Sequence, residues 1–178
     1  AAYGPAVRAE KKMTQARRAL LEAAGAQSAE LTFTGSGSEA DSLAIVGSAE
    51  RFHGARRVLI FGGEHPAVLN TREQLERLGH TVETFPARRD GVADLEKLAA
   101  AHDENVGLVS CMQVNNETGA VQPFGEIARL IREKCPGALF HVDGGQGLLR
   151  VPLAFDQSGI DLYTCPGHKI HGPKGIGA

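Results

Sequence analysis

A short loop of small residues, Gly35-Ser36-Gly37-Ser38, could bind an anion such as a phosphate. It lies between an apolar segment and a helical pattern, so the free amides and the positive dipole end of that helix would face the anion. Ser36 and Glu39 also fit the S-x-x-E capping box that begins many helices. The loop matches neither G-x-x-x-x-G-K-[ST] nor G-x-G-x-x-G. Two interpretations therefore stay open, a phosphate cradle or an ordinary capped turn.

Lys169 lies in a segment rich in glycine and proline, where it could act as a nucleophile. A lysine amine that loses its proton forms Schiff bases with carbonyl groups, although most lysines are simply solvated. Asp143 ends an apolar segment and could pair with a protonated ring nitrogen through a charge-assisted hydrogen bond, or could cap a turn. Gln146 follows three residues later and could reach the same ligand.

Histidines occur at two of these places. His65 precedes Pro66 and could stack on a flat ring, or could be an ordinary surface histidine at the start of a helix. His168 and His171 are three residues apart in a loop, without an H-E-x-x-H motif or a pair of cysteines nearby. Because zinc sites need a larger ligand set, we predict no metal site.

The cysteines are few and widely spaced: Cys111, Cys135 and Cys165. They form no C-x-x-C pair, and an odd, sparse set argues against a disulfide framework. Free cysteine is among the residues most often buried, so we expect three buried thiols.

Apolar segments alternate with helical patterns along the chain, which predicts an α/β fold with a mostly parallel sheet between two layers of helices. Ligands of such sheets bind beyond the carboxyl ends of the strands, so Ser36–Ser38, His65, Asn116, Asp143 and Lys169 should lie along one edge. The predicted strands are 31–34, 58–61, 81–85, 106–114, 138–142 and 161–164, and the main helices are 8–24, 36–49, 66–78, 93–101 and 124–134.

Composition indicates an ordinary globular domain: 178 residues, 42% hydrophobic and 22% charged, with a net charge of -2. This charge gives no general attraction to nucleic acid or to an anionic membrane surface. The sequence has no run of 18 apolar residues and no apolar core of a signal peptide at its start, so we expect no membrane span and a cytoplasmic setting. It opens without methionine and closes on GPKGIGA, from which we expect a piece of a longer protein.

Several segments, in order, resemble the cysteine desulfurases of the class V aminotransferase group, especially the iron–sulfur-assembly branch. LTFTGSGSEADSLAI resembles the FTSGATEANNLAI segment of that family, and EHPAVL resembles EHKAVL. VNNETGAVQP is similar to VNNEIGVVQ, HVDGGQ to HVDATQ, and PGHKIHGPKGIGA to SGHKIYGPKGIGA. The match runs over essentially the whole chain.

The resemblance implies the large domain of fold type I enzymes, with pyridoxal 5'-phosphate as cofactor and L-cysteine as substrate. Lys169 would form the Schiff base with the cofactor and move protons at the substrate α-carbon, while His65 would stack on the ring and act as an acid or base. The remaining cofactor-binding residues would be Asp143 at the pyridinium nitrogen, Gln146 and Asn116 near the ring oxygen, and Gly37, Ser38 and His168 at the phosphate.

The chain also departs from the family pattern. Pro166 stands where the family has a serine, Gly37-Ser38 replace an Ala-Thr pair, and Gly144-Gly145 replace another. Residues 1–178 would form a single, incomplete cofactor-binding domain that lacks the small C-terminal domain and the sulfur-accepting cysteine. Alone, it is therefore expected to be inactive.

Two alternatives stay open for the parent protein: another class V enzyme, such as a selenocysteine lyase or an aminotransferase, or a non-catalytic remnant. The expected partners are a second copy in a homodimer and an iron–sulfur scaffold or sulfur-acceptor protein. In a eukaryote the location could also be mitochondrial.

Overall fold

Five parallel strands form the sheet of the computed structural model, which describes residues 3–178. β1 lies between β2 and β3, and the strand order across the sheet is β2-β1-β3-β4-β5. Neighbouring strands pair in parallel throughout. The strands are β1 Arg57–Phe61, β2 Thr81–Phe85, β3 Val106–Ser110, β4 Leu139–Asp143 and β5 Leu162–Thr164.

Helices pack on both faces of this sheet, which confirms the predicted fold class. Leu59 and Phe61 of β1 face α5 and α6, whereas Val58 and Ile60 face α2 and α4, because alternate residues of a strand point to opposite faces. The helices are α1 Gly4–Ala23, α2 Gly37–Ala49, α3 Pro66–Leu69, α4 Arg72–Arg77, α5 Leu95–Ala101, α6 Phe124–Lys134 and α7 Phe155–Ser158, with a 3₁₀ helix at Gly167–Ile170. Among residues 3–178, no helix combines the length and the apolar character that crossing a bilayer requires.

Three predicted elements differ from the structure. The strand predicted for 106–114 ends at Ser110. Segment 31–34 is not a strand of the sheet: only Thr34 pairs, in a single antiparallel bridge with Gly177. The helix predicted for 66–78 is interrupted between α3 and α4, where the Thr71 hydroxyl donates to the Val68 carbonyl at 2.7 Å. Such a local hydrogen bond competes with the regular helical pattern.

The last residues of the chain join two loops. Thr34 and Gly177 exchange backbone hydrogen bonds of 2.8 and 2.9 Å, and Cys165 and Ala178 exchange bonds of 2.9 and 3.0 Å. Segment 177–178 therefore connects the residue before the Gly35–Ser38 loop to the residue before Pro166.

The capping box at the start of α2 forms in a slightly altered arrangement. Ser36 Oγ accepts from the Glu39 amide at 3.1 Å, and Glu39 Oε2 accepts from the Gly35 amide at 2.7 Å, one residue before the expected partner.

We predict that Ser36→Ala lowers the free energy of unfolding by about 1 kcal/mol, because the helix loses a capping acceptor. Urea titration would measure this, with Ser42→Ala inside the same helix as the control. Equal stability of Ser36→Ala and the unchanged chain would contradict the capping role.

Candidate active site

The loops after β1 and β3 leave the carboxyl edge of the sheet toward opposite sides, and this topology predicts a crevice between them. After β1 the chain crosses to β2, and after β3 it crosses to β4, so the topology changes direction between these strands. Asn115 Nδ2 donates to the Gly63 carbonyl at 2.9 Å and ties the two loops together. A crevice at such a switch point is where open α/β sheets bind ligands.

The Gly35–Ser38 loop leads into α2 and packs against Pro166. Gly37 and Ser38 are the first residues of α2, so their amides have no acceptor within the helix. A Cβ atom at position 37 would lie 2.9 Å from Cβ of Pro166, so the loop packs closely on the segment that leads to Lys169. Amides at a helix start that have no acceptor within the helix fit a phosphate group.

Asp143 lies at the end of β4, half-buried, with its Oδ1 accepting from the Gly145 amide at 2.8 Å. Burial raises the pKa of the Asp143 carboxyl, whereas the Gly145 hydrogen bond and the positive charges of His65 and Lys169 act in the opposite direction. The structure therefore brings His65, Asp143 and Lys169 close enough to interact electrostatically. A carboxylate held this way can accept a hydrogen bond from a protonated ring nitrogen.

Lys169 lies in the 3₁₀ helix that follows β5, and its main chain is held in place. Arg150 Nη2 donates to the Lys169 carbonyl at 2.5 Å, and the Lys169 amide donates to the Pro166 carbonyl at 3.3 Å. The Lys169 residue is half-buried, whereas His168 beside it is exposed. This anchoring of the backbone fixes where the lysine side chain begins.

His65 is exposed and caps α3, where its Nδ1 accepts from the Ala67 amide at 3.1 Å. Because Nδ1 is an acceptor, a neutral ring carries its proton on Nε2. The capping bond therefore holds the ring at the start of α3 and fixes the tautomer of its neutral form.

Two further residues predicted for the site, Asn116 and Gln146, make no side-chain hydrogen bond to Asp143 or Lys169 among the described residues. Asn116 is exposed in a turn organised by Asn115, whose Oδ1 accepts from the Glu117 and Thr118 amides. Gln146 is half-buried. Within residues 3–178 no hydrogen bond joins either side chain to Asp143 or Lys169, so the roles of both residues stay predictions.

Beneath the crevice lies a set of polar residues that sequence reasoning missed, which we term the buried polar chain: Glu64, Ser110, His141, Thr164 and Asp41. Ser110 Oγ lies 2.7 Å from Glu64 Oε1 and 2.9 Å from His141 Nδ1. His141 Nε2 lies 3.2 Å from Thr164 Oγ1, which lies 2.5 Å from Asp41 Oδ1. All five residues are buried. The available signal was a histidine within the otherwise apolar segment 139–142.

Burial dominates the protonation of this chain. It raises the pKa of Asp41 to about 7, with the charge of Asp143 adding to the effect, and it raises the pKa of Glu64 well above its usual range. Burial lowers the pKa of His141 to about 3. The imidazole is therefore neutral at physiological pH, and the two carboxyl groups hold protons more tightly than ordinary carboxyls do.

Packing explains why Gly144 and Gly145 stand where the family that the chain resembles has larger residues. The Tyr163 ring lies where a side chain at position 144 would be, and the Tyr163 hydroxyl donates to Gln113 Oε1 at 2.7 Å. A Cβ atom at position 145 would lie 3.0 Å from Asp143 Oδ1. Glycine at 144 is thus required by the tyrosine on the neighbouring strand.

All three cysteines are buried and unpaired with one another, as predicted. Burial raises the pKa of the Cys111 and Cys135 thiols, and raises that of Cys165 to about 11. Because the thiolate is the reactive form, none of them is prepared to act as a nucleophile.

The chain is similar in sequence and in structure to a group of known proteins. The sequence profile of the family described as aminotransferase class-V matches residues 1–178. A protein of Nostoc sp. named cysteine desulfurase is 42% identical over 168 residues, which cover 94% of this chain and 42% of the relative. The solved structure of a NIFS-like protein matches 99% of this chain and 49% of its own, with a TM-score of 0.91 and 32% identity. A structure titled SspA in complex with cysteine matches 99% and 51%, with a TM-score of 0.88 and 33% identity. The chain thus spans about half the length of the proteins it matches, or less.

Proposed function

Because this chain belongs to the class-V aminotransferase family, we propose that it is the cofactor-binding domain of a pyridoxal-phosphate-dependent cysteine desulfurase. The complete protein would take sulfur from L-cysteine and release L-alanine. The names of the relatives support this substrate, since one is a cysteine desulfurase and another was solved in complex with cysteine.

One observation in the structure carries the proposal: His65, Asp143 and Lys169 interact at the carboxyl edge of the sheet, beside a main-chain loop suited to phosphate. The two positive groups oppose the rise in the pKa of Asp143 that burial causes. The loop adjoins the lysine segment through the contact of Gly37 with Pro166. A phosphate binder, a ring-nitrogen partner and a nucleophilic amine are the groups that this cofactor requires.

When bound, pyridoxal phosphate supplies a pyridinium ring that accepts electron density from the substrate α-carbon. The amides of Gly37 and Ser38 would bind the phosphate, with His168 beside them. Asp143 would accept a hydrogen bond from the ring nitrogen and keep that nitrogen protonated. Lys169 would bond covalently to the cofactor and then move a proton at the α-carbon.

His65 would stack on the ring, with its position fixed by the bond from the Ala67 amide. Gln146 and Asn116 would donate to the ring oxygen from the adjoining loops. Pro166 has neither an amide proton nor a hydroxyl, so it would supply no donor to the phosphate.

We include three features of the complete protein in the proposal. It would be a homodimer, it would pass sulfur to an iron–sulfur scaffold or another acceptor protein, and it would work in the cytoplasm. Because Cys111, Cys135 and Cys165 are buried, the cysteine that receives sulfur would lie outside this domain.

The test is an assay of the complete gene product with L-cysteine, with alanine and sulfide measured separately. We expect equal amounts of the two products in the presence of a thiol reductant. L-selenocysteine and a 2-oxo acid acceptor, supplied in parallel, examine the selenocysteine lyase and aminotransferase alternatives. Absence of alanine from cysteine would refute the desulfurase, and an adduct-free protein with no activity on any of them would indicate a non-catalytic remnant.

A further inference from the structure

We propose that the buried polar chain is a relay that shares one proton between Glu64 and Asp41 and keeps one negative charge beside Asp143. The residues come from five different parts of the fold: the loop after β1, the end of β3, the end of β5, the middle of β4, and α2. Their hydrogen bonds run without a gap from Glu64 through Ser110, His141 and Thr164 to Asp41. None of these residues belongs to the groups assigned above to the cofactor.

Counting protons shows that one must be shared. The relay has four links, and each needs one hydrogen between its two heavy atoms. The hydroxyls of Ser110 and Thr164 supply one each, and a neutral imidazole supplies a third. The fourth must come from a carboxyl group or from a second N–H of His141.

The surroundings of His141 argue against a second N–H. The ring is fully buried, and its approach to a carboxylate, 3.8 Å from Nε2 to Asp41 Oδ1, is longer than a hydrogen bond. Burial lowers the pKa of His141 to about 3, so the ring stays neutral. The fourth proton therefore lies on a carboxyl group, and the whole relay carries one net negative charge.

Glu64 is the better place for that proton. Its Oε2 is buried and meets no hydrogen-bond criterion among the described residues. Burial raises the pKa of Glu64 more than the Ser110 hydroxyl and the Met112 amide lower it, so ionising this carboxyl is costly. At the other end, the 2.5 Å separation of Thr164 Oγ1 from Asp41 Oδ1 is that of a hydroxyl donating to a carboxylate. Glu64 then donates to Ser110, Ser110 to His141 Nδ1, His141 Nε2–H to Thr164, and Thr164 to ionised Asp41.

The relay can also run in reverse with atoms and charge conserved. Glu64 gives its proton to Ser110 Oγ as Ser110 gives its own to His141 Nδ1. His141 gives the Nε2 proton to Thr164 as Thr164 gives its own to Asp41. The imidazole changes tautomer, and the negative charge moves from Asp41 to Glu64 without a proton entering or leaving.

The consequence for Asp143 rests on the proposed function. Asp143 follows His141 on the same face of β4 and lies opposite Thr164 in the register with β5. Its charge acts on both Asp41 and Glu64. A negative charge at either end of the relay makes Asp143 accept a hydrogen bond from a protonated partner more strongly. The relay residues thus act as positioning residues that keep the cofactor's ring nitrogen protonated.

The relay itself is tested on the complete gene product without cofactor, at about pH 8, above the pKa of Asp41. We expect ¹⁵N NMR of labelled histidine to show His141 as a neutral ring with the proton on Nε2. Infrared spectra should contain the band of one buried carboxylic acid. The band should disappear in Glu64→Gln, whose amide mimics the protonated acid and preserves the tautomer, and should remain in Asp41→Asn.

A doubly protonated His141, a proton on Nδ1, or a band that disappears only in Asp41→Asn would overturn the relay. The wild-type spectra decide this even if a variant fails to fold.

The link to Asp143 needs the complete gene product with pyridoxal phosphate labelled at the ring nitrogen. There the neutral Glu64→Gln/Asp41→Asn double variant should lose the ring proton at lower pH than the wild type. An unchanged titration of the ring nitrogen in the double variant would refute the positioning role. Failure of the wild-type protein to bind the cofactor would instead refute the proposed function.

Discussion

Replacing Lys169 by alanine is expected to abolish borohydride-trapped pyridoxal phosphate and to slow alanine formation by the complete gene product on the order of 10²- to 10⁴-fold. Two effects combine, since the variant loses both the covalent link to the cofactor and the group that moves a proton at the substrate carbon. Lys169 is suited to both because its backbone is held by Arg150 and it lies near Asp143. Peptide mass spectrometry after borohydride reduction locates the adduct directly.

Lys174 provides a matched control for this experiment. It lies in the same glycine- and proline-rich segment, but it is exposed, whereas Lys169 is half-buried. Lys174→Ala should keep the adduct and the rate. Labelling that spreads over exposed lysines, or survives in Lys169→Ala, would show that Lys169 is not the attachment site.

Replacing Asp41 by asparagine is expected to stabilise the chain above neutral pH, on the order of 2–4 kcal/mol at about pH 8. The pKa of Asp41 is about 7 in the folded chain and 3.8 for an ordinary aspartate. The folded protein therefore binds this proton more tightly than the unfolded chain does. The stability from Asp41 is fully present below its ordinary pKa and is lost as pH rises through the folded value.

The asparagine variant has no such proton to lose, so its advantage should grow between about pH 4 and pH 7 and then level off. The titratable groups that act on Asp41 or face it are His141, Asp143, Glu64 and Cys165, and all remain in the variant. Urea titrations of both proteins across this range measure the difference.

Asp90 offers a control of opposite sign. It is exposed and accepts from Arg88 Nη2 at 2.8 Å and from the Val92 amide at 3.0 Å, and these bonds lower the pKa of its carboxyl. Its contribution is present above the ordinary pKa and is lost as pH falls. Asp90→Asn should therefore destabilise the chain near neutral pH but not in acid. A pH-independent effect of Asp41→Asn would contradict the tightly held proton.

The elements of the fold that the sequence predicted are those with strong local patterns. The apolar segment at β1, the helix at 124–134 and the glycine after α1 follow from periodicity and turn chemistry alone. The strand predicted at 31–34 fails because pairing is a tertiary property, and only Thr34 finds a partner. The break after α3 depends on a threonine hydroxyl that periodicity does not detect.

The candidate site divides in the same way. Asp143, His65 and Lys169 were predictable because each follows an apolar strand, and parallel strands place their carboxyl ends together. The buried polar chain was not predictable, because its members become neighbours only through the fold: Asp41 and Thr164 are 123 residues apart. Burial then changes what these side chains do, turning an ordinary carboxylate on a helix into one that holds a proton near neutral pH.

Segment 177–178 couples the local unfolding of the two loops that it joins. It hydrogen-bonds to Thr34 on one side and to Cys165 on the other, and Gly177 lies so close to the Ser36 carbonyl that a larger residue would not fit. We therefore expect the Gly35–Ser38 loop and the segment that leads to Lys169 to unfold locally as one cooperative unit. In hydrogen exchange, the amides of Thr34 and Cys165 should share one opening free energy, and the site would be lost as a whole rather than loop by loop.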